Sequence, residues 1–219
     1  MRKTGIVFDL DGTLLDTLED LTDSTNAMLA HFGFPGRTMQ EVRRFVGNGA
    51  GRLVAQAVPE GTPETIQIQA LQWFQNYYGA HCQEKTKPYA GFLQVLQQLQ
   101  DMGYAMAVVS NKPDGAVKSL VAHWFPGLVA RGEGPDCPRK PAPDMLMQAM
   151  EKLGVKDCIY VGDSEVDVAT AQAAGVPCLS VLWGFRDEAQ LRRAGAQHVC
   201  TRPEELIACL AEMEKNNGK

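Results

Sequence analysis

Two aspartates near the start of the chain, Asp9 and Asp11, stand two positions apart after an apolar run, Ile6-Val7-Phe8. If the backbone stays extended, they point to the same side. Two carboxylates ~4 Å apart, at an effective dielectric near 20, repel by roughly 4 kcal/mol. Either they share a proton or a cation lies between them. A hard divalent ion removes the conflict, and Mg²⁺ binds through one or two carboxylates together with phosphate oxygens. Gly12 lets the backbone turn or approach a ligand closely, and Thr13 adds a hydroxyl and a main-chain N–H. The plainer alternative is that Asp9 and Asp11 are turn residues closing a strand.

Other polar residues end apolar runs in the same way. Ser110 and Asn111 follow Tyr104 to Val109, and Asp163 follows Cys158 to Val161, with Asp167 four positions on. Lys140 lies in a Gly- and Pro-rich stretch, Arg131 to Pro143. Singly, each has an ordinary alternative: Ser110 as a helix cap, Lys140 as a solvated loop residue, Asp163 and Asp167 as charges favoured at a helix start. Jointly they fit phosphoryl transfer. Asp9 is a candidate nucleophile. Asp11 can protonate a leaving alkoxide and later take a proton from water. Asp9, Asp163 and the carbonyl of Asp11 could hold Mg²⁺. Ser110, Asn111 and Lys140 would hold the phosphoryl oxygens.

These residues need a scaffold that brings separate strand ends together. With 219 residues and 45% hydrophobic content, the chain can bury a sizeable core. Asp16 to Gln83 carries helical spacing and no strand pattern. Gly33 is a candidate helix end, Thr38 and Glu41 a capping box, Gly47 to Gly51 a flexible loop, and Pro63 a further helix start. From Pro88 onward strands and helices alternate. Helices are expected over Gly91 to Met102, Pro113 to Phe125, Asp144 to Leu153, Glu165 to Ala174 and Pro203 to Lys215. Strands are expected over Tyr104 to Val109, Cys158 to Val161, Pro177 to Leu182 and Gln197 to Cys200, with a short apolar piece at Leu128 to Ala130. Alternation of this kind implies an α/β fold with a doubly wound, Rossmann-like parallel sheet. Residues 1–15 and 86–219 would form that core, and residues 16–85 an inserted all-helical domain. An insertion leaving just after strand one would lie over that strand's carboxyl end, where open α/β sheets bind ligands. The tail from Lys215 to Lys219 is expected to fray.

A formal net charge of −5 argues against a general nucleic-acid surface. No apolar run reaches the ~20 residues that span a bilayer. Met1 to Thr4 run straight into the first strand, so no leader is expected. The six cysteines show no C-x-x-C pair or zinc-like spacing, which reads as free thiols in a reducing cytoplasm. The four histidines are scattered and read as structural or surface residues.

The segments Asp9-Leu10-Asp11-Gly12-Thr13, Ser110-Asn111-Lys112, Lys140-Pro141 and Gly162-Asp163-Ser164-Glu165-Val166-Asp167 span nearly the whole chain. In that order they resemble the haloacid dehalogenase-like superfamily of phosphatases, close to the phosphoglycolate phosphatases. The resemblance implies Mg²⁺ dependence, Asp9 as nucleophile and Asp11 as general acid and base. It implies that Asp163 binds the metal directly, that Asp167 supports the metal shell, and that the helical block is a mobile cap excluding water. The second aspartate, Asp11, sets the chain apart from the dehalogenase and phosphonate-hydrolase branches. Thr13 and Leu21 set it apart from the sugar phosphomutases. Val46 to Arg52 resembles a phosphoglycolate phosphatase cap loop, in which Arg44 or Arg52 could grip a small carboxylate. The expected substrate is 2-phosphoglycolate. Pyrophosphate, nucleotides and sugar phosphates are alternatives, and a phosphomutase or a non-catalytic binder on the same scaffold would be less in keeping with these residues. The expected partner is a small phosphorylated metabolite, with no nucleic acid and no membrane, for a monomer or homodimer.

Overall fold

The first strand, β1 (Gly5–Phe8), is buried along its whole length. Ile6 and Phe8 face one side of the sheet and Val7 the other, as strand geometry requires. The computed structural model describes residues 4–217. The tail expected to fray, Lys215 to Lys219, is helical through Asn217; its residues 218–219, and residues 1–3 with the expectation of no leader, lie outside the described residues.

Five further strands join β1: β4 (Met106–Pro113), β5 (Val129–Glu133), β6 (Cys158–Gly162), β7 (Cys178–Val181) and β8 (His198–Cys200). The six lie in the order β5-β4-β1-β6-β7-β8, and every pair is parallel. Helices α5 (Phe92–Asp101), α6 (Asp114–Trp124) and α10 (Leu206–Asn217) cover the Ile6 and Phe8 face. Helices α7 (Asp144–Leu153) and α8 (Glu165–Ala174) cover the Val7 face. The chain builds outward from β1 in both directions, so successive carboxyl ends meet at one edge. That edge is the ligand edge of a doubly wound sheet.

The chain divides into two units, Met1–Leu15 with Pro88–Lys219, and Asp16–Lys87. Two-residue strands β2 (Leu15–Asp16) and β3 (Lys87–Pro88) lie where the chain passes between them. The second unit is four helices packed on one another: α1 (Leu18–His31), α2 (Met39–Phe45), α3 (Gly49–Ala57) and α4 (Glu64–His81). Thr38 and Glu41 form the expected capping box of α2. The Asp20 carboxylate accepts the main-chain N–H groups of Lys85 (3.0 Å) and Thr86 (2.8 Å), tying the unit's last residues to its first helix.

Three local expectations are corrected. Gly47 to Gly51 is not a loop throughout, because α3 begins at Gly49. Leu53, Val54 and Ala57 bury one face of that helix, which outweighs the ~1 kcal/mol cost of each glycine. Strand β4 starts at Met106 and does not stop at Val109: its pairing with β5 shifts register and resumes at Pro113. Ser110, Asn111 and Lys112 therefore lie on a held strand segment rather than in a loop. Correspondingly, β5 extends to Glu133, into the stretch expected to be loop. A short helix with no counterpart among the expectations, α9 (Glu188–Arg193), is capped reciprocally by Asp187 and Gln190. Among the described residues, no helix is long and apolar enough to cross a membrane.

Candidate active site

Asp9 and Asp163 directly follow β1 and β6, Ser110 lies in β4 where its pairing with β5 shifts register, and all three are buried. Lys140, 131 positions after Asp9, reaches the same point. Its Nζ donates to Asp9 Oδ1 (2.6 Å), Asp167 Oδ1 (2.7 Å) and the Tyr160 hydroxyl (2.9 Å). These three acceptors match the three protons of an ammonium. Asn111 holds the lysine from behind: its Oδ1 accepts the Lys140 main-chain N–H (2.7 Å), and its Nδ2 donates to the Lys140 carbonyl (3.0 Å). The backbone clamp explains how a loop residue becomes a fixed cation.

Asp167 is equally engaged. Its Oδ1 accepts from Lys140 Nζ and the Tyr160 hydroxyl (3.0 Å). Its Oδ2 accepts the Ser164 main-chain N–H (3.0 Å) and hydroxyl (2.6 Å). Four donors fill the roughly four lone-pair positions of a carboxylate. Asp163 has more room: Oδ2 accepts the Phe185 N–H (2.6 Å), and Oδ1 takes a longer bond of 3.4 Å from Thr13 Oγ1. Gly12, at φ +87°, and Gly184 both crowd this carboxyl, and a Cβ at either would collide with it. The Trp183 indole donates to the Thr13 carbonyl (2.9 Å), which anchors the turn. Arg186 Nε pairs with Glu165 at 2.7 Å, joining the segment after β7 to the start of α8.

Asp11 is the more open of the first two acids, with its side chain 14% exposed, and Lys112 Nζ lies 3.0 Å from its Oδ1. Ser110 Oγ accepts the Lys112 main-chain N–H at 3.2 Å. Arg44 and Arg52 belong to the helical unit, where both are exposed, on α2 and α3 respectively.

Charge balance within the cluster is uneven. One oxygen from each of Asp9, Asp163 and Asp167 lies within 4.8 Å of the others, with a single ammonium among them. Burial pushes the Asp9 carboxyl well above the ordinary range, neighbouring Asp167 and Asp163 push the same way, and Lys140 opposes them. Burial and then Asp167 raise Asp163 to about 7, against the pull of the Phe185 N–H and Arg186. For Lys140 burial favours the neutral amine, but Asp167 and Asp9 together outweigh it and the net shift is upward. Tyr160 is pushed up by burial and by both carboxylates, so it stays a neutral hydroxyl. A buried all-oxygen cluster short of positive charge suits a hard divalent cation. Asp9 and Asp163 have oxygen positions to offer one, whereas Asp167 is saturated.

Reasoning from the sequence overlooked Tyr160, the Phe185 N–H and the Arg186–Glu165 pair. A tyrosine in the otherwise apolar run Cys158 to Val161 was the available signal, since a buried phenol needs a polar partner.

The family described as haloacid dehalogenase-like hydrolase matches residues 6–181. Phosphoglycolate phosphatase 1 of Pseudomonas aeruginosa is 33% identical over 216 residues, covering 93% of this chain and 78% of that protein. A phosphoglycolate phosphatase of Xylella fastidiosa is 36% identical over 186 residues, covering 83% and 81%. Among solved structures, a Lactobacillus delbrueckii subsp. bulgaricus protein, provisionally named a phosphoglycolate phosphatase, superposes with a TM-score of 0.89. It is 36% identical and the match covers 94% of this chain and 97% of that one.

Proposed function

Because this chain belongs to the haloacid dehalogenase-like hydrolases, we propose that it hydrolyses 2-phosphoglycolate through an aspartyl-phosphate on Asp9. The observation that carries this reading is the buried cluster of Asp9, Asp163 and Asp167 gripping Lys140 at the ligand edge of the sheet. The phosphoglycolate phosphatase names of its relatives support the substrate.

In this reading an Asp9 carboxylate oxygen attacks phosphorus as the bond to the leaving oxygen breaks. Asp11 gives that oxygen its proton, and glycolate departs. Water then attacks the phosphorus of the aspartyl-phosphate, Asp11 takes the proton, and phosphate leaves with Asp9 restored. Lys140 balances charge on the phosphoryl oxygens, joined by Ser110 and by the Gly12 and Thr13 main chain. Asn111 acts through Lys140, which it holds, and Asp167 fixes the same lysine. A Mg²⁺ ion held by Asp9, Asp163 and the Asp11 carbonyl would neutralise charge and align the phosphate. The reading places the enzyme in the cytoplasm, in keeping with six cysteines that are all free thiols.

The test is phosphate release from 2-phosphoglycolate, pyrophosphate, a nucleoside monophosphate, a sugar phosphate and p-nitrophenyl phosphate, each with Mg²⁺ and with EDTA. The expected outcome is the highest kcat/KM on 2-phosphoglycolate and none without a divalent ion. A higher value on any other member reassigns the substrate, and full activity in EDTA removes the metal.

Proton linkage supplies a second check that does not depend on turnover. Asp163 rises from an ordinary value of 3.8 to about 7 in the metal-free fold. Its contribution to stability is therefore complete below the lower value and is lost as pH climbs through the higher one. Mg²⁺ binds the ionised form, so its stabilising effect should grow across the same window. Thermal melts with and without Mg²⁺ should show a larger Tm gain at pH 8 than at pH 5. Asp163→Asn should flatten the difference, and equal gains at both pH values would remove Asp163 from the metal.

Arg44 and Arg52 are candidate grips for the substrate carboxylate from the helical unit. Replacing each with alanine should raise KM for 2-phosphoglycolate several-fold where the guanidinium engages. An unchanged KM in both variants removes them from substrate recognition.

A further inference from the structure

We infer that Lys112 selects an anionic leaving group, its ammonium receiving the substrate carboxylate beside Asp11. The inference rests on the phosphoglycolate reading and adds a specificity-determining residue to it. The cluster already contains a lysine, Lys140, bonded to Asp9 and Asp167. Lys112 is a second one, and it stands elsewhere: its Nζ is 3.0 Å from Asp11 Oδ1. Asp11 is the acid that protonates the leaving oxygen, so Lys112 lies on the leaving-group side of the transfer. In 2-phosphoglycolate a single methylene separates the ester oxygen from the carboxylate carbon. Standard bond lengths put the carboxylate oxygens roughly 3 Å from that ester oxygen. An acid within hydrogen-bond reach of the ester oxygen therefore brings its neighbouring cation within reach of the carboxylate.

The placement is also rigid. Ser110 Oγ accepts the Lys112 main-chain N–H, and strand pairing resumes at the next residue, Pro113. The lysine side chain is 4% exposed, so most of its path is walled by protein, while the Asp11 carboxylate stays more open. An ammonium enclosed to this degree interacts strongly with any carboxylate that reaches it, and the substrate's would join that of Asp11. An ester whose leaving group carries no charge would leave the site with one anion fewer. Sites built around a charged contact reject isosteres lacking it far more strongly than apolar pockets reject a lost methylene.

The test compares 2-phosphoglycolate with 2-phosphoglycolamide, whose leaving group is near-isosteric but uncharged, in the Mg²⁺-loaded wild type, K112M and K112R. The wild type should prefer the carboxylate by about a hundredfold in kcat/KM. K112M should reduce that preference to about threefold, mostly through loss on the carboxylate, and K112R should retain most of it. Equal wild-type rates on the two esters overturn the inference whatever the variants do, including a variant that fails to fold. A K112M enzyme that keeps the full preference overturns it too, as does one that loses both substrates equally, which marks a role exercised only through Asp11. A wild type that turns over the amide and other esters but not 2-phosphoglycolate overturns the substrate reading itself.

Discussion

Asp9→Asn is expected to lower kcat by on the order of 10⁴-fold or more while leaving the fold intact. An amide has no anionic oxygen to attack phosphorus, and no neighbouring acid can take over. Asp11 is turned to Lys112, Asp163 to the Phe185 N–H, and Asp167 to Lys140, Tyr160 and Ser164. The structural cost is small, because the asparagine oxygen can still accept from Lys140 Nζ. Ionising Asp9 in the metal-free fold is itself unfavourable, since burial and the adjacent carboxylates hold its proton affinity high. The metal-free variant should therefore melt at or above the wild-type temperature, and Mg²⁺ should stabilise it less. Single-turnover assays with radiolabelled phosphate, read beside thermal melts, check both halves. An Asp9→Asn protein with wild-type turnover would end the aspartyl-phosphate mechanism.

Lys140→Met should damage activity and stability together. The variant leaves Asp9, Asp163 and Asp167 buried within 4.8 Å with no ammonium among them. Removing one partner of a buried charge cluster typically costs about 3–5 kcal/mol. Turnover should fall by roughly 10²–10³-fold, the usual effect of deleting a donor that stabilises transition-state charge. The pH dependence separates this cause from simple loss of packing. Carboxyls with raised proton affinity are neutral at low pH, so the stability deficit should shrink as pH falls from 8 toward 5. Urea unfolding of both proteins at the two pH values measures it, and a pH-independent deficit would argue against charge as the reason.

Some of this site could be read directly from residue spacing. Asp9, Asp11, Ser110, Lys140 and Asp163 each end an apolar run or interrupt a polar loop, and the alternating pattern places such ends on one edge. Asp167, expected to support a metal shell, lies in the acidic cluster. Its four partners, two of them from Lys140 and Tyr160, make it a brace for the lysine. Asn111 is similar: as a phosphate ligand it was a fair expectation, yet its amide clamps the Lys140 backbone. Helix α3 was missed because glycine content was weighed as local propensity, while burial of Leu53, Val54 and Ala57 settled the matter. Helix α9 had a readable cap in Asp187 and Gln190, and that signal was overlooked.

What the chain determines locally is therefore the identity and order of its elements: β-branched runs make strands, helical spacing and caps make helices, and glycines mark their ends. What only tertiary structure decides is which side chain meets which. Thr13 reaches Asp163 across 150 positions, and Trp183 reaches Thr13 across 170. Such pairs depend on strand order and on the register of parallel ladders, which long crossovers set and sequence separation does not encode. The same limit applies to the electrostatics, because a carboxyl's proton affinity follows from burial and neighbouring charge, and both exist only once the edge is assembled.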